Sequence, residues 1–168
     1  MGYFETGLLE SLFEVFFQDR ESGVVADQNG NPIFVNARYL SDYGTLPQAV
    51  KITQSYMKLQ PGQMAILNDP YSGGTQLSTL TLITCVEIGS KKTNFPMILG
   101  LRYPLRPNLR WAESIEDEGL RIPPTLIGDQ NGIYEDILSA ITNHPLCPDD
   151  FGRYINEWLT KQKSPQKF

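Results

Sequence analysis

The sequence predicts an α+β fold, a single mixed domain in which β-hairpins are flanked by helices. The length of 168 residues, 40% of them hydrophobic, suits one globular domain. Eight Phe, eight Tyr and two Trp supply bulky side chains for its core. Strand-like and helix-like patterns alternate along the chain, with no internal repeat and no linker rich in Gly, Ser or Pro. We therefore expect one domain over residues 1–160 and a flexible, Lys-containing tail over residues 161–168.

The first predicted element is a short amphipathic helix over residues 8–17. Apolar residues recur there at spacings of three and four, with glutamates between them. The apolar side chains occupy most of the helix circumference. Two interpretations therefore stay equally open: a helix in the core, or a helix that binds another protein.

A β-hairpin is expected next, because residues 24–27 and 33–35 have strand character and flank an Asn29-Gly30 turn. Asn-Gly readily adopts the positive φ that tight hairpins need. The remaining predicted elements are a helix over 46–59 that Pro47 is placed to start and Pro61-Gly62 ends, strands over 64–67, 80–88 and 95–103, a helix over 135–143, and a third helix capped by Asp149 or Asp150.

The charge balance and hydropathy exclude several classes of function. The net charge is -5, with 19 acidic residues against 14 basic ones, which argues against a nucleic-acid surface. No segment approaches the ~20 apolar residues that span a bilayer, and residues 8–17 lack the basic flank of a signal peptide. Cys85 and Cys147 lie far apart in the sequence, so neither a disulfide framework nor a cysteine zinc site is indicated. We expect a cytoplasmic protein with no membrane insertion.

The chain contains one histidine, His144, so it cannot build a multi-histidine metal centre by itself. His144 lies between Asn143 and Pro145 at a predicted helix end. We favour a capping or surface role for it over that of a lone general base.

The most unusual string is the loop over residues 68–77, Asn-Asp-Pro-Tyr-Ser-Gly-Gly-Thr-Gln-Leu, which follows a predicted strand. Asn68 and Asp69 can close an Asx turn before proline, and Gly73-Gly74 permits positive φ and close approach to another group. No Gly-Lys-Ser or Gly-Lys-Thr follows, so the loop is not a P-loop. From these residues alone, a structural turn is favoured over a functional loop.

Two strings resemble the hydantoinase B/oxoprolinase family. Eight residues of the loop match the family string Asn-Asp-Pro-Tyr-x-Gly-Gly-Thr-His-Leu-Pro-Asp, namely 68–71, 73–75 and 77. Residues 118–124, Glu-Gly-Leu-Arg-Ile-Pro-Pro, are similar to the family element Glu-Gly-x-Arg-Ile-Pro-Pro. The resemblance covers about residues 7–155, and the family's catalytic chains are several times longer. The sequence therefore looks like a truncated amino-terminal part of such a chain.

The resemblance implies a metal-dependent subunit that works with an ATP-using A subunit to hydrolyse a cyclic amide or, in related complexes, to carboxylate a ketone. Its metal ligands are of the His and Asp type, which this sequence lacks: Gln76 stands at the motif histidine and Thr79 at the motif aspartate. The following strand, residues 101–106, has no His or Asp, and Arg102 or Arg106 places positive charge where a cation belongs. The other aligned positions are a strand serine at Ser22, an aspartate replaced by Arg20, and histidines replaced by Arg38 and Asp42.

These replacements predict a pseudoenzyme: a non-catalytic structural or regulatory subunit on a degenerate scaffold of this family, acting through protein–protein interaction within a larger complex. The expected partner is a hydantoinase A-like or B-like subunit, and no catalytic residue, metal or cofactor is expected. Two alternatives stay open: a subunit of an ATP-dependent cyclic-amide hydrolase or ketone carboxylase whose partner supplies the metal ligands, and a small-molecule binding module. The candidate binding residues are Asn68, Asp69, Tyr71, Gly73, Gly74, Thr75 and Gln76 in the loop, and Glu118, Gly119, Arg121, Pro123 and Pro124 in the second element.

Overall fold

The computed structural model describes residues 22–90, 93–105, 114, 119–147, 149 and 151–163. Within these ranges the chain forms seven strands, three α-helices and a short 3-10 turn at Pro70–Ser72. The predicted helix over residues 8–17 and the candidate residue Glu118 lie outside them. The strands are β1 (Ser22–Asp27), β2 (Pro32–Asn36), β3 (Met64–Leu67), β4 (Thr79–Ser90), β5 (Thr93–Pro104), β6 (Thr125–Asp129) and β7 (Gly132–Ile133), and the helices are α1 (Leu40–Met57), α2 (Glu135–Thr142) and α3 (Phe151–Lys163).

The seven strands form one sheet in the order β2-β1-β5-β4-β3-β6-β7, and every neighbouring pair is antiparallel. The two longest strands, β4 and β5, pair without a break from Thr79↔Pro104 to Ser90↔Thr93. β5 joins the β1–β2 hairpin to the rest of the sheet, because β1 pairs with β5 over its whole length. The centre of the sheet is therefore built from β5, β4 and β3.

Both faces of the sheet are covered, since side chains alternate between them along each strand. One face packs against α1 through an apolar cluster that contains Val50, Ala65 and Ile98. The opposite face carries a larger cluster that includes Phe151 and Ile155 of α3, with apolar residues of α2 packed against its edge. The domain consequently has three layers, with the sheet in the middle.

The structure shows an α+β domain with β-hairpins and flanking helices, as predicted. The hairpin at Asn29-Gly30 and the strand over residues 64–67 are confirmed. The start of the helix predicted over 46–59 is wrong: α1 begins at Leu40 and contains Pro47 in its interior. Sequence reasoning placed Pro47 at a helix start because proline lacks the N–H that an interior position would use.

Both cysteines are free, and Cys85 is fully buried on β4. Burial, and to a smaller extent the charge of Glu87, raises the pKa of the Cys85 thiol to about 11. A thiol in this state is a small apolar core residue and a poor nucleophile. Within the described ranges, no helix is long and apolar enough to cross a membrane.

Candidate functional site

The loop over residues 68–77 begins at Asn68, directly after β3, and is anchored by that side chain. Asn68 is 2% exposed. Its Nδ2 donates to the carbonyl oxygens of Leu77 and Leu120 at 2.9 and 2.8 Å, and its Oδ1 accepts from the Ile122 N–H at 2.6 Å. The backbone N–H of Asn68 donates to the Ile122 carbonyl at 2.9 Å. One amide therefore ties the two ends of the loop to the segment around Leu120–Ile122.

Asp69 shapes the first turn of the loop by capping the 3-10 turn that follows. Its Oδ1 accepts from the Tyr71 N–H at 3.2 Å, and its Oδ2 accepts from the Ser72 hydroxyl at 3.0 Å. Its backbone carbonyl accepts from the N–H groups of Ser72 and Gly74. The Asx turn expected from the sequence is present, and the carboxylate is used within the loop.

Gly73 lets the loop lie directly on α1. Its φ is 91°, in the left-handed region, and a Cβ added there would approach the backbone of Ala49 to 2.6 Å. A side chain would meet both a conformational and a steric barrier at this position. The closeness of Gly73 to Ala49 fixes the distance between the loop and the helix.

A buried ionic network links α1, β1 and β5 to this loop. Arg102 on β5 faces α1, where its Nη1 lies 3.4 Å from Oδ1 of Asp42. The same guanidinium donates to the Thr75 hydroxyl at 2.8 Å and to the Gly73 carbonyl at 2.7 Å. On the far side, Asp42 Oδ2 accepts a short hydrogen bond from the hydroxyl of Ser22. The Ser22 oxygen in turn accepts from the backbone N–H of Arg38 at 2.9 Å.

Both charged partners are almost completely buried, with Arg102 3% and Asp42 4% exposed. Burial lowers the pKa of the Arg102 guanidinium, and the negative charge of Asp42 opposes this shift. The pair is neutral as a whole, which is the condition under which two charges persist in a low-dielectric interior. Removing one member would leave the other buried without a counter-charge.

The two positions that the resemblance assigns to a histidine and an aspartate of the motif contact each other. Nε2 of Gln76 donates to the Thr79 hydroxyl at 3.2 Å. Gln76 is exposed, whereas Thr79 is buried at the start of β4. Tyr71, also in the loop, points into solvent with 80% of its surface exposed. The loop therefore presents Tyr71 and Gln76 outward, while its other polar groups bond within the chain.

The described part of the second element lies against the first. Leu120 and Ile122 form the hydrogen bonds to Asn68, so the two strings that carry the resemblance are adjacent in space. Gly119 has a φ of 140°, Arg121 is exposed, and Pro123 and Pro124 lead into β6. A binding role for these residues stays a prediction.

The donor set at this site does not fit a transition-metal ion. Around the loop the available atoms are hydroxyl, carbonyl and amide groups and the carboxylates of Asp42 and Asp69, of which Asp42 is paired with the Arg102 guanidinium and Asp69 caps its own turn. Zinc, iron and copper sites use imidazole, thiolate or several carboxylates. In the described ranges, no three His, Cys, Asp or Glu residues come together in a way that could hold a metal ion.

The role of Asp42 was missed in the sequence, where it stood only as a replaced histidine. The structure makes it the counter-charge of Arg102. A signal was present: Asp42 shares one helical face with Leu46, Ala49 and Val50, at the spacing of a buried stripe. A carboxylate in such a stripe predicts a buried cationic partner, because a buried charge is stable only when it is paired.

A separate groove of about 510 Å³ lies at the C-terminal end of α1. Lys51, Lys58, Gln54, Pro61 and Pro96 are among its lining residues, and none of the lining residues belongs to the loop over 68–77. Two lysines line this groove. The ammonium of one of them, Lys51, already donates hydrogen bonds to the Asn29 carbonyl and the Asn31 side chain.

Comparison with known proteins was informative for the fold alone. No family model and no curated protein matches the sequence. Among solved structures, the chain is similar to the ATP-dependent caprolactamase from Pseudomonas jessenii, with a TM-score of 0.64 and 19% identity over 93% of this chain and 28% of that chain. A nucleotide-free acetone carboxylase structure matches with a TM-score of 0.58 and 12% identity over 80% of this chain and 21% of that chain.

The chain shares its fold with part of these enzymes. This chain spans only a minor part of the length of either protein. At these identities the likeness establishes the fold and not the activity.

Proposed function

We propose that this chain is a non-catalytic structural or regulatory subunit, built on a degenerate scaffold that corresponds to the amino-terminal part of a hydantoinase B/oxoprolinase-type chain, and that it acts within a larger protein complex. The observation that carries the proposal is Arg102. Its guanidinium extends from β5 to the Gly73 carbonyl and the Thr75 hydroxyl of the loop, and it belongs to the segment 101–106 in which the resemblance leads us to expect His and Asp ligands.

Two features of the site support a non-catalytic role. Hydrolysis of an amide needs a general base, an activated nucleophile or a metal-bound water at the reacting carbon. The loop offers Gln76 and Thr79, two neutral side chains that bond to each other, and Asp69, whose carboxylate caps its own turn. Each of these groups is already engaged in a hydrogen bond within this part of the chain.

The expected partner is a hydantoinase A-like or B-like subunit. Support comes from the extent of the likeness, because this chain corresponds to 28% of the caprolactamase chain and 21% of the acetone carboxylase chain. A domain that matches one part of a larger enzyme fits a role beside the remaining parts.

The alternative is an enzyme subunit whose partner supplies the missing ligands. The fold similarity to an ATP-dependent caprolactamase favours this candidate. It predicts that a metal is bound only in the assembly, and that lactam or hydantoin hydrolysis requires both chains and ATP.

The test uses the full chain from its native source, purified alone and in its assembly. For the non-catalytic subunit we expect elution well above the 19.0 kDa of the monomer in native extracts, together with less than one equivalent of zinc or manganese in the isolated chain and no ATP-dependent hydrolysis of caprolactam, hydantoin or 5-oxoproline by it. Stoichiometric metal or turnover in the isolated chain would overturn the proposal. A monomer at native concentration would remove its subunit part.

A further inference from the structure

We infer that the oxygen atoms around Arg102 form a cation site whose occupant is supplied by the chain itself. The oxygen cage consists of Asp42 Oδ1, the Thr75 hydroxyl and the Gly73 carbonyl, which lie 3.4, 2.8 and 2.7 Å from the terminal guanidinium nitrogens. This inference goes beyond the proposed function, because it concerns the isolated chain whether or not a partner exists.

The cage is assembled from separate segments of the chain. Asp42 comes from α1, and Thr75 and Gly73 come from the loop, while Arg102 reaches them from β5. A single cation thus holds the helix, the loop and the sheet together. Bound metal ions often perform the same structural task in small domains, since one ion can collect ligands that are distant in sequence.

The donor set of the cage fits a guanidinium ion and not a metal ion. It contains one carboxylate, one carbonyl and one hydroxyl oxygen, whereas calcium takes about six to eight oxygen ligands in proteins. The Ser22 hydroxyl hydrogen-bonds the second carboxylate oxygen of Asp42 and so orients the carboxylate toward Arg102. The single negative charge balances the single charge of the guanidinium.

The way Arg102 bonds agrees with its role as an occupant of the cage. Its two terminal nitrogens make all the contacts to the cage. Its Nε is buried without a hydrogen-bond partner in the described ranges, and so is the hydroxyl of Thr81, directly across the ladder on β4. Hydrogen bonding is therefore concentrated where the cage is, at the end of the side chain.

The experiment empties the cage with Arg102→Ala and asks whether an added cation refills it. We expect this variant to lose about 10 °C in Tm, because the Asp42 carboxylate is left buried without a counter-charge. Millimolar guanidinium, far below its denaturing range, raises the Tm of the variant by about 3 °C, and millimolar calcium gives no rise. Urea, which has the size of guanidinium and no charge, gives no rise at the same concentration.

Two controls separate a cation site from general stabilisation. The wild-type chain, whose cage is full, shows no rise with either cation. The double variant Asp42→Asn/Arg102→Ala has no charge to attract a cation and also shows none. Equal effects of urea and guanidinium, a rise in the double variant as large as in Arg102→Ala, or no rise with guanidinium would each overturn the inference.

If Arg102→Ala does not fold unaided, a refolding experiment replaces the measurement of Tm. The variant is then refolded from denaturant with guanidinium, calcium or urea in the buffer, and the yield of native protein is measured by far-UV circular dichroism. Recovery with guanidinium and not with urea supports the cage, whereas no recovery with guanidinium overturns it.

Discussion

Asn68 is the residue on which the geometry of the loop depends most directly. Its side chain bonds to Leu77, Leu120 and Ile122, so it holds both ends of the loop and the neighbouring segment at once. An amide provides two N–H donors and one acceptor oxygen, and here all of these functions are used inside the protein. The presence of Asn68 in the loop is thus explained by folding, without any ligand.

Gly73 also determines the geometry of the loop, and its contribution to the free energy of unfolding can be measured. Gly73→Ala places a methyl group 2.6 Å from the backbone of Ala49 at a φ of 91°. We expect a loss of about 2–3 kcal/mol in the free energy of unfolding, from backbone strain together with overpacking. Urea denaturation followed by circular dichroism measures it.

Gly44 provides the matched control, because it lies within α1 and a Cβ there meets nothing within 4 Å. Gly44→Ala should stabilise the protein by about 0.5–1 kcal/mol, since alanine is the better helix former. If both substitutions changed the free energy of unfolding in the same direction, glycine would not be required at position 73.

At the scale of the elements, those whose signals are local were predictable. The strand β3 is a short apolar run between Pro61-Gly62 and Asn68, and the β1–β2 hairpin combines β-branched residues with an Asn-Gly turn, so both signals act over a few residues. The first two turns of α1 were missed because they are fixed by tertiary contacts, Asp42 with Arg102 and Leu46 with the core, which override the preference of Pro47 for a helix start. β6 contains Gly128 and Asp129, which are disfavoured in strands, and β7 has only two residues, so neither shows a strand pattern before β6 pairs with β3 and β7 pairs with β6.

The β1–β2 hairpin should contribute a pH-dependent part of the stability through Asp27. Burial raises the pKa of this carboxyl. Hydrogen bonds from Asn31 and Asn29 and the charge of Lys51 lower it by more than burial raises it, so the pKa in the folded protein is below its ordinary value. A lowered native pKa means that the unfolded chain binds the proton more tightly. The contribution is therefore present above about pH 4 and is lost as the pH falls through the native pKa.

Asp27→Asn tests this contribution. We expect the variant to be less stable than the wild type at pH 7, with the difference shrinking as the pH falls from about 4 through the lowered native pKa, where the wild-type carboxyl becomes protonated. Urea midpoints measured from pH 7 to pH 2.5 give the profile. A difference that is constant over the whole range would assign the effect to hydrogen-bond geometry and not to charge.

For the whole molecule, the limit of sequence reasoning lies in contacts between distant segments. The turn chemistry of Asp69 and Gly73 could be predicted because it is local. The buried pair of Asp42 with Arg102, and the bonds from Asn68 to Leu120 and Ile122, depend on how the three layers stack. Resemblance to a family brought Asp42 and Arg102 to attention, but only the fold shows that one neutralises the other.

The two thiols provide a measure of how cooperatively these layers open. Cys85 lies on β4, which is hydrogen-bonded on both sides by β3 and β5, and it is fully buried next to α1. Exposing it requires separation of the helix from the sheet. Cys147 lies after α2 and is partly buried, and burial, with a smaller effect of the Asp149 charge, raises the pKa of its thiol.

With a thiol reagent at pH 8, we expect Cys147 to react first and Cys85 at least about 1,000-fold more slowly, because Cys85 reacts only through global opening of a domain with ordinary stability. The variant Cys147→Ser isolates the slow reaction. Its rate should rise with urea along the same slope as the global unfolding equilibrium, since the exposed state is the unfolded state. Reaction of Cys85 in Cys147→Ser at a rate independent of urea would mean that α1 lifts from the sheet locally, and the three layers would then not unfold as one unit.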